Sequence, residues 1–211
     1  MAEQLIPLDV CEAYEVYETL GASAVLRSNP AEWDSVIRML RSFYFTRSEV
    51  WKPAGGKTPM AKRLESHLRA EGWVEGKPLD HPLVHRLDGL RGRVGVEVQW
   101  CQRDYAFDRD MRTFRFSSES GVVDVGVVVT RGQSLHESFR GTGKFIDATT
   151  HMGTLVPLLR AGYGKPCPVL AFGITRAREV NDDDRRDATE VQRAERPRRL
   201  PDAAVGHAVA L

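Results

Sequence analysis

The sequence predicts a mixed α/β domain in which helices flank a central β-sheet. Residues 121–130 and 167–174 are nearly continuous apolar runs, which is typical of strands buried on both faces of a parallel or mixed sheet. Residues 94–100 alternate valine with small or polar residues, which is the period of a strand. Helical patterns separate these segments, and strands that alternate with helices favour an α/β sheet. The chain has 211 residues, enough for one domain with a substantial core.

Residues 1–48 are predicted to form N-terminal helices. Asp9 fits the N-cap of a first helix. The apolar stripe of that helix consists of Val10, Ala13, Tyr14 and Tyr17. Asn29, Pro30 and Glu32 supply a cap, a proline at N1 and an acid at N3 for a second helix. Its apolar positions at helical spacing are Trp33, Val36, Ile37, Leu40 and Tyr44. We interpret both helices as packed elements of the core.

A third helix is predicted to begin with Thr58 as N-cap and Pro59 at N1, and to end near Gly72. Lys57 and Lys62 lie at its start, where basic side chains and the helix N-terminus can hold a nucleic-acid phosphate. An ordinary solvated loop and basic helix start would explain the same residues, so both interpretations stay open.

The same segment has a superficial likeness to a nucleotide-binding phosphate loop. Residues 56–58 read Gly-Lys-Thr, but Trp51 replaces the first glycine of the G-x-x-x-x-G-K-[ST] pattern, and no apolar strand precedes it. We therefore reject a phosphate loop and expect no nucleotide cofactor.

Polar side chains share one face of the strand at residues 94–100. Because successive side chains of a strand point to opposite faces, Glu97 and Gln99 project together, away from the valines. Asp88, in the preceding turn or strand, can return to meet them. Two carboxylates beside a neutral polar group can hold a hard cation such as Mg²⁺ next to a phosphate. The spacing alone is a weak pattern, since a glutamate on a strand commonly faces solvent.

Further polar positions accompany the later segments. Asp124 lies within a valine-rich strand and is expected to have a structural hydrogen-bond partner, because buried charges must be paired. Thr150 and His151 precede a short helix, where they either contact DNA or cap the helix with a hydrogen-bonded histidine. A helix before the valine-rich strand is indicated by Phe107, Met111 and Phe114.

Composition limits the class of protein. The net charge of +1 neither predicts nor excludes a nucleic-acid partner, because a neutral protein can carry a local basic cleft. Cys11, Cys101 and Cys167 lack metal-binding spacing and favour a reducing cytoplasm. The histidines show no spacing of a zinc site. No apolar run approaches the roughly 20 residues of a membrane span, and the N-terminus lacks the pattern of a signal peptide. We expect a cytoplasmic protein without a membrane partner.

A single domain is predicted over residues 1–176. Residues 177–211 begin with a stretch dense in charge of both signs and poor in large apolar groups. They are predicted to form a charged C-terminal helix or a flexible tail.

The motif Asp88-x8-Glu97-Val98-Gln99 resembles the active site of the BglII and BstYI type II restriction endonucleases. They form a branch of the PD-(D/E)XK nuclease superfamily in which glutamine replaces the usual lysine. Four further segments resemble the family in the same order: residues 52–62, 103–107, 120–127 and 167–174. The resemblance covers about residues 50–175 and implies a PD-(D/E)XK restriction-endonuclease-like fold, with a catalytic core at residues 49–176.

The resemblance also implies roles for individual residues. Asp88, Glu97 and the carbonyl of Val98 would bind Mg²⁺, while Gln99 would help to place the attacking water and the phosphate. Gln102 aligns with a base-reading position, and Arg103 would contact phosphate or guanine.

The family acts as homodimers on palindromic double-stranded DNA and leaves 5′-phosphate ends. For this chain the resemblance therefore implies a type II site-specific deoxyribonuclease. The target sequence stays open, with a GATC-centred site as one guess.

Three other functions stay open at this stage. The chain can be a nuclease without sequence preference or with a repair role, or an inactive DNA-binding protein of the same fold. It can also be an unrelated hydrolase in which Asp88 and Glu97 act as a general acid and base. The intact Asp88, Glu97 and Gln99 set argues against an inactive protein.

Overall fold

The computed structural model describes residues 5–50, 58–100, 105–139 and 150–181. Its strands are β1 Tyr14–Glu18, β2 Phe45–Thr46, β3 Val74–Gly76, β4 Leu87–Arg91, β5 Val94–Gln99, β6 Val125–Arg131, β7 Val169–Ile174 and β8 Glu179–Val180. Its α-helices are α1 Leu8–Ala13, α2 Ala22–Arg27, α3 Pro30–Ser42, α4 Arg47–Val50, α5 Pro59–Ala70, α6 Ala106–Glu119, α7 Gln133–Ser138 and α8 Met152–Arg160. A 3₁₀ turn spans Arg176–Arg178.

A six-stranded mixed sheet forms the centre of the molecule, as the sequence predicts. Its strand order is β1-β7-β6-β5-β4-β3. The three inner strands β5, β6 and β7 run parallel, whereas β1, β4 and β3 pair antiparallel with their neighbours. All residues of β5, β6 and β7 are buried, which explains their valine-rich composition, because parallel strands are covered on both faces.

Each face of the sheet packs against its own helices. On one face, apolar side chains of α3 and α5 contact the valines of β5 and β6 in the larger core cluster. On the other face, α6 and α8 cover a smaller cluster that includes Leu87, Phe114 and Val128. Alternate side chains of one strand therefore enter different cores, which follows from the two-residue period of a strand.

The prediction of helix for the whole N-terminal segment is wrong at Tyr14. Helix α1 starts after Pro7 and ends at Ala13, and Tyr14 begins the edge strand β1, which pairs with β7. Tyr14 and Val16 face the larger cluster while Tyr17 packs against the smaller one. Residues 14–18 therefore form a strand rather than a helix, because alternate side chains of the edge strand pack into the two core clusters on opposite faces of the sheet. Helix α2 was also not predicted.

The other helix starts are confirmed. Pro30 occupies N1 of α3, although the Asn29 side chain donates to the Val25 carbonyl at 3.0 Å instead of capping the helix. Thr58 caps α5, since its hydroxyl accepts a hydrogen bond from the backbone N–H of Ala61 at 3.3 Å. None of the helices in the described ranges is long and apolar enough to cross a membrane.

Residues beyond the predicted domain end at 176 still pack on the domain. Strand β8 pairs in parallel with β2, and Arg178 is only 8% exposed. Its guanidinium donates to the carbonyls of Leu40 and Arg41, at 2.7 and 3.2 Å. The start of the predicted tail is thus packed on the domain, because buried carbonyl groups at the end of α3 need donors. Residues 182–211 lie outside the described residues.

Candidate active site

Strands β4 and β5 form a tight hairpin that sets two carboxylates opposite each other. Their two-residue connection contains Gly92, whose φ of 52° lies in the left-handed region that favours glycine. The pairing runs back to Gly89 opposite Val96, and one further residue on each strand places Asp88 opposite Glu97. Three facing pairs and the two-residue turn lie between Asp88 and Glu97. This accounts for the eight residues that separate the two acids in the sequence.

The acids and the amide of the predicted motif converge on the α6 face of the sheet. Glu97 and Gln99 are 2% and 1% exposed, while Asp88 is half-buried at the edge of the site. Asp88 Oδ2 accepts a hydrogen bond of 3.0 Å from the backbone N–H of Val98. This bond fixes the carboxylate beside the strand that carries the other two side chains.

Helix α6 lies close to this face because two glycines make room for it. Gly95 of β5 and Gly126 of β6 are neighbours in register, and a Cβ on either would come within 3.0 Å of the Phe114 ring. One turn before Phe114, Asp110 lies on the same side of the helix and is fully buried. The side chain of Gln99 lies close enough to the Asp110 carboxylate to lower its pKa. Gly95 and Gly126 thus let α6 approach the sheet closely enough to bring a third acid, Asp110, into the site.

His85 joins the cluster from the segment that precedes β4. Its Nε2 lies 2.9 Å from Glu97 Oε1 and 3.3 Å from Asp110 Oδ1. Its Nδ1 lies 2.7 Å from the hydroxyl of Thr113, which also accepts a hydrogen bond of 3.2 Å from the His85 backbone N–H. Thr113, on α6, therefore holds the imidazole with one nitrogen directed at the two acids.

Burial and mutual repulsion favour the protonated form of the buried acids. Burial, and then the charges of Asp110 and Asp88, raises the pKa of Glu97 well above its usual value. Burial also raises the pKa of Asp110 to about 7, against the opposing effect of the Arg109 guanidinium. Burial, and then the positive charge of Arg109, lower the pKa of His85 to about 4. A bound cation would favour the ionised carboxylates and the neutral imidazole.

The donor set of the cluster fits a divalent cation. Within the described residues, no hydrogen bond reaches Glu97 Oε1, Gln99 Oε1 or His85 Nε2. Buried polar atoms without partners cost free energy, and a cation would satisfy several of them at once. Ligand atoms from His85, Glu97 and Asp110 all lie within 4.8 Å of one another. Together with Asp88, these groups can hold a metal next to a phosphate.

The predicted DNA contacts at the other loops have different outcomes. Lys57, Gln102 and Arg103 lie outside the described residues. Lys62 is exposed on the first turn of α5, so its ammonium can reach a partner.

Of the two interpretations of Thr150 and His151, the structure favours the helix start over a DNA contact. Thr150 is 1% exposed, and its carbonyl accepts hydrogen bonds from Thr130 Oγ1 at 3.1 Å and Arg131 Nε at 3.2 Å. His151 occupies the N-cap position of α8, and its ring stacks on His136 with centroids 3.8 Å apart. Burial, assisted by His136, lowers the pKa of His151 to about 4. A neutral ring cannot neutralise a phosphate, so the structure favours the helix-start interpretation of this pair.

His85 and Asp110 were not predicted as site residues from the sequence. Phe107, Met111 and Phe114 mark the apolar stripe of α6, and Asp110 falls within that stripe, three residues after Phe107 and four before Phe114. An acid on the apolar face of a helix is the signal that could have identified it. His85 lies in an irregular segment, where no periodicity distinguishes it.

Comparisons with known proteins point to the same family as the sequence motif. The family model described as "Restriction endonuclease BglII/BglIII" matches residues 14–174, so the match includes N-terminal elements outside the resemblance at residues 50–175. No curated protein sequence matches the chain significantly.

One similar solved structure is that of restriction endonuclease BglII complexed with a DNA 16-mer, with a TM-score of 0.58 and 13% identity. The similarity covers 76% of this chain and 75% of that chain. At this identity it supports the fold alone: the helix-flanked six-stranded sheet is the BglII restriction endonuclease fold.

Proposed function

Because this chain belongs to the BglII/BglIII restriction endonuclease family, we propose that it is a Mg²⁺-dependent type II enzyme. Its substrate would be a short palindromic site in double-stranded DNA, which it cuts to leave 5′-phosphate ends. The observation that carries the proposal is the convergence of Asp88, Glu97 and Gln99 on one face of the β4–β5 hairpin, beneath α6. Buried acids with raised pKa values, here Glu97 and Asp110, are typical of catalytic centres.

Asp88, Glu97 and the carbonyl of Val98 would hold the divalent ion. When bound, the ion supplies a Lewis acid for the scissile phosphate and lowers the pKa of a coordinated water. The residues fit such an ion because the acids are crowded and Glu97 Oε1 lacks a hydrogen-bond partner among the described residues. The oxygen-rich set of carboxylates and a carbonyl matches the preference of Mg²⁺.

Gln99 would position the water and the phosphate. Its amide is neutral and cannot accept a proton in the reaction, which distinguishes it from a lysine at the same place. Within the described residues, no hydrogen bond reaches its Oε1. Oε1 can therefore accept a hydrogen bond from a water in the site. Asp110, whose carboxylate interacts with the Gln99 side chain, would act as a positioning residue for Gln99.

DNA would be bound by a homodimer whose two-fold axis coincides with that of the palindrome, so that each subunit cuts one strand. Lys62, exposed at the start of α5, and Lys57 would contact phosphates. Gln102 and Arg103, which follow β5, would read the bases beside the cleavage site. The cytoplasm, which the scattered thiols favour, is the proposed compartment.

Incubation of plasmid DNA with the protein and Mg²⁺, with and without EDTA, tests the proposal. Discrete fragments that disappear with EDTA are the expected result. A smear would instead identify a nuclease without sequence preference, and binding without cleavage would identify an inactive DNA-binding protein. Cleavage that survives EDTA would point to metal-independent acid–base chemistry. Ligation of the fragments without prior kinase treatment checks the 5′-phosphate ends.

A further inference from the structure

The cluster contains a nitrogen ligand that the proposed magnesium site does not use. His85 Nε2 lies 2.9 Å from Glu97 Oε1 and 3.3 Å from Asp110 Oδ1, but within the described part of the chain it has no aligned hydrogen bond. Two ligand atoms at right angles around an ion, each about 2.1 Å from it, lie about 3 Å apart. The spacing around Nε2 is thus that of neighbouring ligands to one cation.

The orientation of the imidazole is fixed in the manner of a metal ligand. Thr113 holds Nδ1 at 2.7 Å, so Nε2 is the nitrogen directed at Glu97 and Asp110. A histidine that binds a metal almost always has its other ring nitrogen in a hydrogen bond, which sets the tautomer and the ring plane. A neutral ring with its proton on Nδ1 would otherwise present a lone pair to two carboxyl groups.

Buried atoms at the same place lack partners. Among the described residues, no hydrogen bond reaches Glu97 Oε1 or Asp110 Oδ2, and both residues are at most 2% exposed. Asp110 Oδ1 lies 3.3 Å from His85 Nε2 and has a long contact of 3.4 Å with the partly exposed Arg109. A cation between these groups would interact with the carboxylate oxygens and the imidazole nitrogen at the same time. A shared proton could bridge only one pair of these atoms.

We propose that His85, Glu97 and Asp110 form a second divalent-cation position, distinct from the one at Asp88, Glu97 and Val98 and sharing Glu97 with it. The mixed nitrogen and oxygen set favours a first-row transition ion such as Mn²⁺ over Mg²⁺, because imidazole is a softer ligand than oxygen. The role of this second ion rests on the proposed nuclease function, because it would lie beside the catalytic ion. Its geometry is tested without DNA.

Pulsed electron paramagnetic resonance on the full-length protein loaded with Mn²⁺ alone tests this position. Modulation from one imidazole nitrogen is expected, since the Asp88 site supplies only oxygen. The pattern should change from ¹⁴N to ¹⁵N when the wild-type protein contains ¹⁵N-labelled histidine, a comparison that needs no variant. The nitrogen signal should disappear in His85→Ala. It should persist in His81→Ala, a matched control for a histidine of the same segment. Asp110→Asn should weaken Mn²⁺ binding at this position by about tenfold or more.

Bound Mn²⁺ without nitrogen modulation would overturn the inference, as would a signal that survives in His85→Ala. Absence of Mn²⁺ binding at millimolar concentrations would overturn it too. Plasmid digestion with the same samples separates this inference from the proposed function. Cleavage without a nitrogen signal refutes only the second ion position, whereas a nitrogen signal without cleavage refutes the nuclease and leaves the ion position standing.

Discussion

Strand β5 presents Val94, Val96 and Val98 to one side of the sheet, and Gly95, Glu97 and Gln99 to the other. The valine side meets α3 and α5 in a continuous apolar core. The opposite side begins with a glycine that admits Phe114 and ends in a polar cluster under Asp110. One strand therefore contributes to two environments, and successive residues differ in whether they stabilise the fold or build the site.

The contrast between the valine face and the acidic face has a thermodynamic side. Each buried valine side chain contributes about 1.5–3 kcal/mol to folding through the hydrophobic effect. The acids of the other face are buried beside one another, which raises their pKa values and makes the ionised site costly. The valine face offsets this cost, so the fold can keep buried acids that a cation would bind in their ionised form.

Replacement of Glu97 by alanine should have the largest effect on activity. Loss of a carboxylate at the centre of the cluster should reduce cleavage by about 10³-fold or more, because metal-assisted charge stabilisation contributes several kcal/mol. Folding and DNA binding should be largely retained, since removal of a buried acid relieves repulsion with Asp88 and Asp110. Plasmid cleavage rates and gel-shift titrations measure the two effects. Full cleavage by Glu97→Ala would remove this residue from the site.

The preceding residue supplies the matched control. Val96→Ala should lower the free energy of unfolding by about 2–3 kcal/mol, because it removes buried methyl groups and leaves a cavity. Cleavage at a temperature where the variant is folded should stay near that of the wild type. Urea unfolding and the same plasmid assay check this. A variant that keeps its stability but loses activity would contradict the division between the two faces.

Asp110→Asn should change how the free energy of unfolding depends on pH, because it removes a buried acid that packs against the polar face of β5. Because the folded-state pKa of Asp110 is raised to about 7, its burial carries no penalty below its unfolded value, near 3.8. The penalty grows as the pH rises from there and is complete above pH 7. In EDTA at pH 8 the asparagine variant should therefore be more stable than the wild type by about 4 kcal/mol. The difference should vanish near pH 4, and a difference independent of pH would contradict this account.

The hairpin part of the site could be predicted from sequence because it is local. Asp88, Glu97 and Gln99 follow from strand alternation and the spacing around one turn. Asp110 and His85 could not be placed in the same way, because their positions depend on how α6 packs on the glycines of two parallel strands. Such packing involves residues distant in sequence. The helix predicted from the apolar stripe at residues 10–17 was wrong for a related reason. Residues 14–18 form β1 by pairing with β7, which is distant in sequence.

The smallest effect is expected at the other end of the same strands, where neither face is involved. Arg93 in the hairpin turn forms a bidentate ion pair with Asp124, with distances of 2.5 and 2.6 Å, and both side chains are substantially exposed. The Arg93 guanidinium lowers the pKa of Asp124, so the pair contributes above the ordinary pKa of the carboxyl and is lost as the pH falls below it. Water and salt screen such pairs, so Arg93→Ala should lower Tm by about 2 °C or less. Its plasmid cleavage should match that of the wild type. Calorimetry at low and high salt measures the change, and a large loss of activity would show that the turn, rather than the two faces of β5, controls the site.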